Sequence, residues 1–143
     1  MKFYIASSFV NKEAVRVCAR RLIERGFTQT YDWTENERAS TIEQLLKVGE
    51  EERQAVMAAD FFVILLPAGK GSHVELGIAL ASGKRVYMYS PDEEIYDPTT
   101  TATFYHLPEV QKFVGTLDAF VEQLILCEAK KQEIINEKKQ AKC

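Results

Sequence analysis

The most restrictive feature of this sequence is the run Phe61, Phe62, Val63, Ile64, Leu65 and Leu66. A strand turns successive side chains to opposite faces, so six apolar residues in a row leave neither face fit for water. Such a strand belongs in the middle of a parallel sheet covered on both sides. Extended to Pro67 it is the longest apolar run in the chain, far short of the ~20 residues a membrane span requires.

Elements of matching length flank it. Residues 2–6 form a short buried run, and Asn11 is placed to cap a helix carrying Val15, Cys18, Ala19 and Leu22 until Gly26 stops it. Residues 27–31 read as a weaker second strand. Ser40, Thr41, Ile42 and Glu43 have capping-box spacing, opening a helix whose stripe of Ile42, Leu45, Leu46, Gly49, Val56 and Ala59 is expected to face the core. After the central strand come a glycine-rich loop at 67–71, a helix at 72–82 ended by Gly83, and a strand at 86–89. A long polar loop occupies 91–108, and a short fifth strand lies near 112–114. A last helix starts near Thr116, with Leu117, Phe120, Val121, Leu124 and Cys127 on one face.

Alternating strands and helices with short connections predict an α/β fold: a flavodoxin-like or Rossmann-like parallel sheet of about five strands, order 2-1-3-4-5, with helices on both faces. Residues 1–127 are expected to form a single domain and 128–143 a charged, helical C-terminal extension. The 143 residues, 46% of them hydrophobic, suffice for one core. Eighteen Lys and Arg against 21 Asp and Glu leave a net charge of −3, which argues against nucleic acid as the partner. Cys18, Cys127 and Cys143 share no metal-like spacing. The N-terminal residues do not resemble a signal peptide, and the chain is expected to be cytoplasmic, with no membrane, metal or cofactor.

In a sheet of this order, ligands sit beyond the carboxyl ends of strands one and three. That rule brings Ser7 and Ser8 beside the loop Gly69, Lys70, Gly71 and Ser72. Gly69 and Gly71 permit positive φ and close approach of a ligand to the backbone, and the helix that follows offers unbonded N–H groups to an anion. Glu75 has two readings here. Ser72 and Glu75 have capping-box spacing, which favours a cap, and Glu75 is also placed to do chemistry in the loop. Glu52 falls on the inward stripe of its helix, where an ionised carboxylate needs a partner or reaches solvent at the stripe's edge. Tyr4 is either core or a neighbour of the Ser7 loop. Asp32 and Trp33 follow the second strand, where the indole could stack on a base or pack. His73 and His106 show no metal spacing.

These segments together resemble the nucleoside 2-deoxyribosyltransferase family. The match lies in Phe3 to Phe9, in the acidic helix end from Glu52 to Asp60, and in Gly71, Ser72, His73, Val74, Glu75, Leu76, Gly77, Ile78 and Ala79. The resemblance implies that Glu75 attacks the anomeric carbon, that Tyr4 bonds Glu75, and that Glu52 handles the nucleobase. Two departures stand out. The base-handling residue is usually Asp, and an acidic residue common in the loop before the nucleophile gives way to Gly69 and Lys70. A loop of Gly, Lys and Ser is similar to that of the deoxynucleoside 5′-monophosphate N-glycosidases of the same superfamily, and suits Ser7, Ser8, Lys70 and Ser72 to a 5′-phosphate.

The expected activity is cleavage of the N-glycosidic bond of a (deoxy)nucleoside or its 5′-monophosphate through a glycosyl-Glu75 ester, with the sugar passing to another base or to water. Two alternatives stay open. One is a nucleotide-binding or sensing module without turnover, and the other an NAD-cleaving domain similar to Toll/interleukin-receptor domains. The partner is a small-molecule nucleoside or nucleotide. The resemblance also implies a homodimer or higher oligomer, with Tyr105 or His106 near the subunit boundary.

Overall fold

The computed structural model describes residues 1–142; Cys143 lies outside them. At its centre is β3 (Phe61–Leu65), with all five residues buried. It pairs in parallel with β1 (Lys2–Ser7) on one side and β4 (Arg85–Ser90) on the other. The short β2 (Thr28–Gln29) and β5 (Val110–Val114) complete a parallel sheet in the order β2-β1-β3-β4-β5. This is the expected fold.

The pleat sorts the core into two layers. Tyr4, Phe62 and Val86 stand in register and share one face, which α2 (Ile42–Ala58) and α3 (Lys70–Ala81) cover. Phe3, Phe61 and Arg85 share the other, beneath α1 (Lys12–Glu24) and α4 (Leu117–Ala141). Gly26 and Gly83 follow α1 and α3 at φ of +91° and +72°, left-handed backbone that favours glycine and ends a helix.

Five local expectations need correction. The capping box of α2 is one residue along, with Thr41 Oγ1 accepting from the Gln44 N–H and the Gln44 side chain accepting from Thr41 N–H. The apolar stripe of α2 is buried only at its end: Val56 and Ala59 are covered, while Ile42, Leu45 and Leu46 are 80%, 52% and 60% exposed. The reason is length. Seventeen helical residues span about 25 Å, whereas a strand of five or six residues spans roughly 17–20 Å, so α2 overhangs the carboxyl edge of the sheet. The 91–108 segment is not an open loop, since two 3-10 turns (Glu93–Tyr96 and Thr103–His106) pin it through buried Ile95 and Tyr105. α3 begins at Lys70, two residues before the position expected. Finally, Glu128 is fully buried, so the core reaches one residue into the expected C-terminal extension.

Glu128 shows how a buried carboxylate is accommodated. Arg85 donates to both of its oxygens, Nε to Oε2 at 2.9 Å and an Nη to Oε1 at 2.6 Å, and the Tyr87 hydroxyl donates to Oε2. A fork-to-fork pair with a third donor satisfies most of the carboxylate's lone pairs. Replacing Glu128 by Ala leaves Arg85 and Tyr87 unpaired. Because Arg85 is partly exposed and can reach water, the expected loss is on the order of 3 kcal/mol, read from the urea midpoint.

Candidate functional site

The site is assembled where β1 and β3 end. Ser7 Oγ donates to Leu65 O at 2.7 Å, closing the crevice between the two strands. Ser72 Oγ, from the first turn of α3, donates to Ser7 O at 2.8 Å. Asn11 spans the same gap, its side-chain amide donating to Ser7 Oγ at 3.0 Å and to Pro67 O at 2.9 Å. Asn11 therefore holds the strand-three loop with its side chain instead of capping α1, where it makes no side-chain bond.

The early start of α3 removes one of the two readings of Glu75. Gly69 is the N-cap and Ser72 already lies inside the helix with its hydroxyl spent on Ser7. A capping box between Ser72 and Glu75 is therefore excluded. Gly69 and Gly71 also differ from expectation, because neither has positive φ. A Cβ at either position would meet nothing within 4 Å. Their contribution is empty space before the first turn of α3, whose leading N–H groups have no partner within the helix.

Glu75 points back toward the sheet, where Tyr4 stands at 0% exposure. The two are close enough that each shifts the other's ionisation, yet no bond of normal hydrogen-bond geometry closes between them: Tyr4 Oη and Glu75 Oε2 are both buried and unpartnered. We read them as neighbours poised to close. Burial is the main force on Glu75 and raises its carboxyl to about 8; the Tyr4 hydroxyl opposes this and the charge of Glu52 adds to it. Burial, followed by the charge of Glu75, also pushes the Tyr4 phenol well above its usual range. Glu52 on α2 is raised by burial and then by Glu51. Glu52 and Glu75 line one cleft of about 510 Å³, with Leu46, Val74 and Ile78 as its apolar wall and Arg53 beside them.

Other expected residues are placed differently. Trp33 is not brought to the cleft: it is 7% exposed, its indole N–H donates to Ile5 O at 2.7 Å, and its ring packs on Phe9. Asp32 caps the 3-10 turn that follows, accepting from the Thr34 N–H. Lys70 is exposed at the first position of α3. Ser8 Oγ is buried and, like Tyr4 Oη, has no partner. Asn11, Arg53 and His73 were not singled out as site residues from the sequence. Only the proximity of Arg53 to Glu52 was visible there; the reach of Asn11 across 56 residues was not. Among the described residues no group of three or more His, Cys, Asp or Glu could hold a metal ion, and no helix is long and apolar enough to cross a membrane.

The family model of nucleoside 2-deoxyribosyltransferase matches residues 3–139. The chain belongs to the nucleoside 2-deoxyribosyltransferase family. It is an enzyme of the deoxyribosyltransferase kind. Among solved structures, the CMP N-glycosidase BcmB of Clostridium botulinum is similar at TM-score 0.64 and 18% identity, over 88% of this chain and 98% of that one. A 2-deoxyribosyltransferase of Bacillus psychrosaccharolyticus is similar at TM-score 0.54 and 23% identity, over 69% of this chain and 79% of that one. At such identities the likeness establishes the fold. No curated protein matches the chain.

The raised carboxyl of Glu75 has a thermodynamic signature. Its proton is held to about pH 8 in the folded chain but leaves near 4.5 in the unfolded one. Between those values the folded state binds the extra proton, so stability falls as pH rises through that window. Glu75→Gln removes the ionisable group. The variant should melt like the parent at pH 4 and be more stable at pH 8.5, by on the order of 2 kcal/mol once solvent at the cleft mouth is allowed for. Thermal melts at the two pH values check it.

Proposed function

We propose that this enzyme cleaves the N-glycosidic bond of a (deoxy)nucleoside or its 5′-monophosphate through a covalent glycosyl-Glu75 ester. The observation that carries this reading is the cleft lined by both Glu75 and Glu52, with the buried Tyr4 hydroxyl beneath it interacting with the Glu75 carboxyl. Ionised Glu75 attacks the anomeric carbon as the bond to the base nitrogen breaks, and the bonding pair leaves with the base. Glu52, whose hold on its proton burial strengthens, supplies a proton to that base. The ester is then attacked by water or by a nitrogen of a second base. The attacking atom's proton returns to Glu52, and Glu75 is released as a carboxylate. Tyr4 donates to Glu75 and steadies it between the two steps.

This division of labour requires Glu75 ionised while Glu52 is protonated. Glu75 holds its proton to about 8, so the productive form is a minority of the singly protonated site. The parent's kcat/KM is expected to fall above about pH 8, where the last shared proton leaves. In Glu52→Gln that basic limb disappears, and the residual activity rises with pH as Glu75 ionises. Glu75→Gln and Glu75→Ala should release no base while staying folded. Turnover by either variant, measured as free base from nucleosides and their monophosphates, would sink the mechanism.

We further propose that the phosphate of a monophosphate docks on the first turn of α3. Lys70 and the unpartnered Ser8 hydroxyl would bind it there, and Gly69 and Gly71 leave the room. Ser7 and Ser72 have donated their hydroxyl protons to backbone carbonyls, so they serve by holding the cradle's shape. The name of BcmB, a CMP N-glycosidase, supports a monophosphate substrate. Monophosphates should outcompete nucleosides, with Lys70→Ala erasing the preference; equal kcat/KM for both in the parent ends the phosphate reading. The same proposal places the enzyme in the cytoplasm as a homodimer or higher. In support, Leu45, Leu46 and Val74 lie exposed in or beside the cleft wall. Tyr105 is buried within its own chain, so of the two expected boundary residues only His106 is exposed to a partner.

A further inference from the structure

The loop that carries the first turn of α3 has two of its carbonyls tied back by side chains. Asn11 holds Pro67 O. Gly69 O, at the N-cap, is held by His73 through Nδ1 at 2.6 Å. That bond requires the proton on Nδ1, so in the neutral ring Nε2 carries the lone pair and accepts from Tyr105 Oη, also at 2.6 Å. The two rings lie nearly parallel, with centroids 5.7 Å apart and an interplanar angle of 21°.

Tyr105 is itself anchored, its carbonyl accepting from Lys112 Nζ of β5 at 3.1 Å. A continuous chain of bonds thus runs from the sheet edge at β5, through Tyr105 and His73, to Gly69. Open space lies on either side of Tyr105, in clefts of about 370 and 610 Å³ that it helps to line. Tyr105 is packed into the core, and its hydroxyl and ring overlap carry that anchorage to His73.

We infer that His73 and Tyr105 are positioning residues: together they fix Gly69 and the first turn of α3, so that its unbonded N–H groups are already aimed when substrate arrives. The inference rests on the proposed function for what the loop binds. Pro67 O and Gly69 O are both engaged, and the leading N–H groups of α3 remain as donors. Ordering them in advance removes a cost that binding would otherwise meet. The loop touches substrate in ground and transition states alike, so loosening it should weaken KM more than kcat.

The test uses Tyr105→Phe, which keeps the ring and its stacking, and His73→Ala, which removes both bonds. Amide hydrogen exchange is measured on the unliganded full-length protein, and kcat and KM on monophosphates. Exchange at residues 73–76, whose N–H groups bond the carbonyls of residues 69–72, should quicken about tenfold in both variants, with little change in the central strands. KM should rise about five- to tenfold with kcat within about twofold, and the double variant should be no worse than His73→Ala alone. Unchanged exchange at 73–76 in Tyr105→Phe overturns the inference, as does a lowered melting temperature with exchange and KM unaltered. If the parent releases no base at all, the proposed function falls, while the exchange measurement still decides whether the pair holds the loop.

Discussion

A strand that can show neither face to water forces the arrangement of everything around it. Because β3 is buried along its whole length, helices must cover the sheet on both sides. The chain achieves this by leaving β1 first for one side, through α1 to β2, and then for the other, through α2 to β3. The reversal opens a crevice between β1 and β3. Ser7 and Leu65, the last residues of the two strands, stand in register there and are joined by the Ser7 hydroxyl. Tyr4 lies beneath, on the face that α2 and α3 cover. The site follows from the same constraint as the core.

Two buried carboxylates in this molecule have opposite surroundings. Glu128 receives Arg85 and Tyr87, so its charge is matched and its lone pairs are used. Glu75 shares its cleft with Arg53, yet the influences on its ionisation are burial, the Tyr4 hydroxyl and the charge of Glu52, with no cation among them. Desolvation without compensation keeps such a group protonated until something positive comes near. Charge developing on a sugar carbon is of that kind. A glycosyl cation would draw out the ionised form that the empty site resists, so the strain of the resting site is relieved where bond breaking begins.

The sheet order, the helix stops at Gly26 and Gly83, and the neighbourhood of Ser7 with the α3 loop were legible because each rests on local pattern or on connection rules. The pairing of Glu75 with Tyr4 and Glu52 came through family resemblance; spacing alone favoured a capping box. That ambiguity turned on two residues of helix boundary, and boundaries depend on which groups the tertiary structure offers: the Ser72 hydroxyl found Ser7 O, so it did not cap. Trp33 and Asn11 illustrate the same limit. An indole beside a sheet edge and an amide at a helix start suit several roles, and distant partners, Ile5 O and Pro67 O, chose among them. The exposed stripe of α2 misled because periodicity reports an apolar face without saying how far the covered surface extends beneath it.

The crossover that builds the crevice also sets the order in which the chain can fold. Ser7 and Leu65 are 58 residues apart, and β1 gains its central neighbour only when that whole stretch has been made and docked. At a synthesis rate of about 5–20 residues per second, the first strand waits roughly 3–12 s for β3. Phe3, Tyr4 and Ile5 must be kept from other apolar partners in the meantime. Pairings so distant along the chain carry their loop-closure cost before any contact repays it, which slows collapse to the native sheet. The residues that later confine a substrate are therefore among the first to be made and the last to be enclosed.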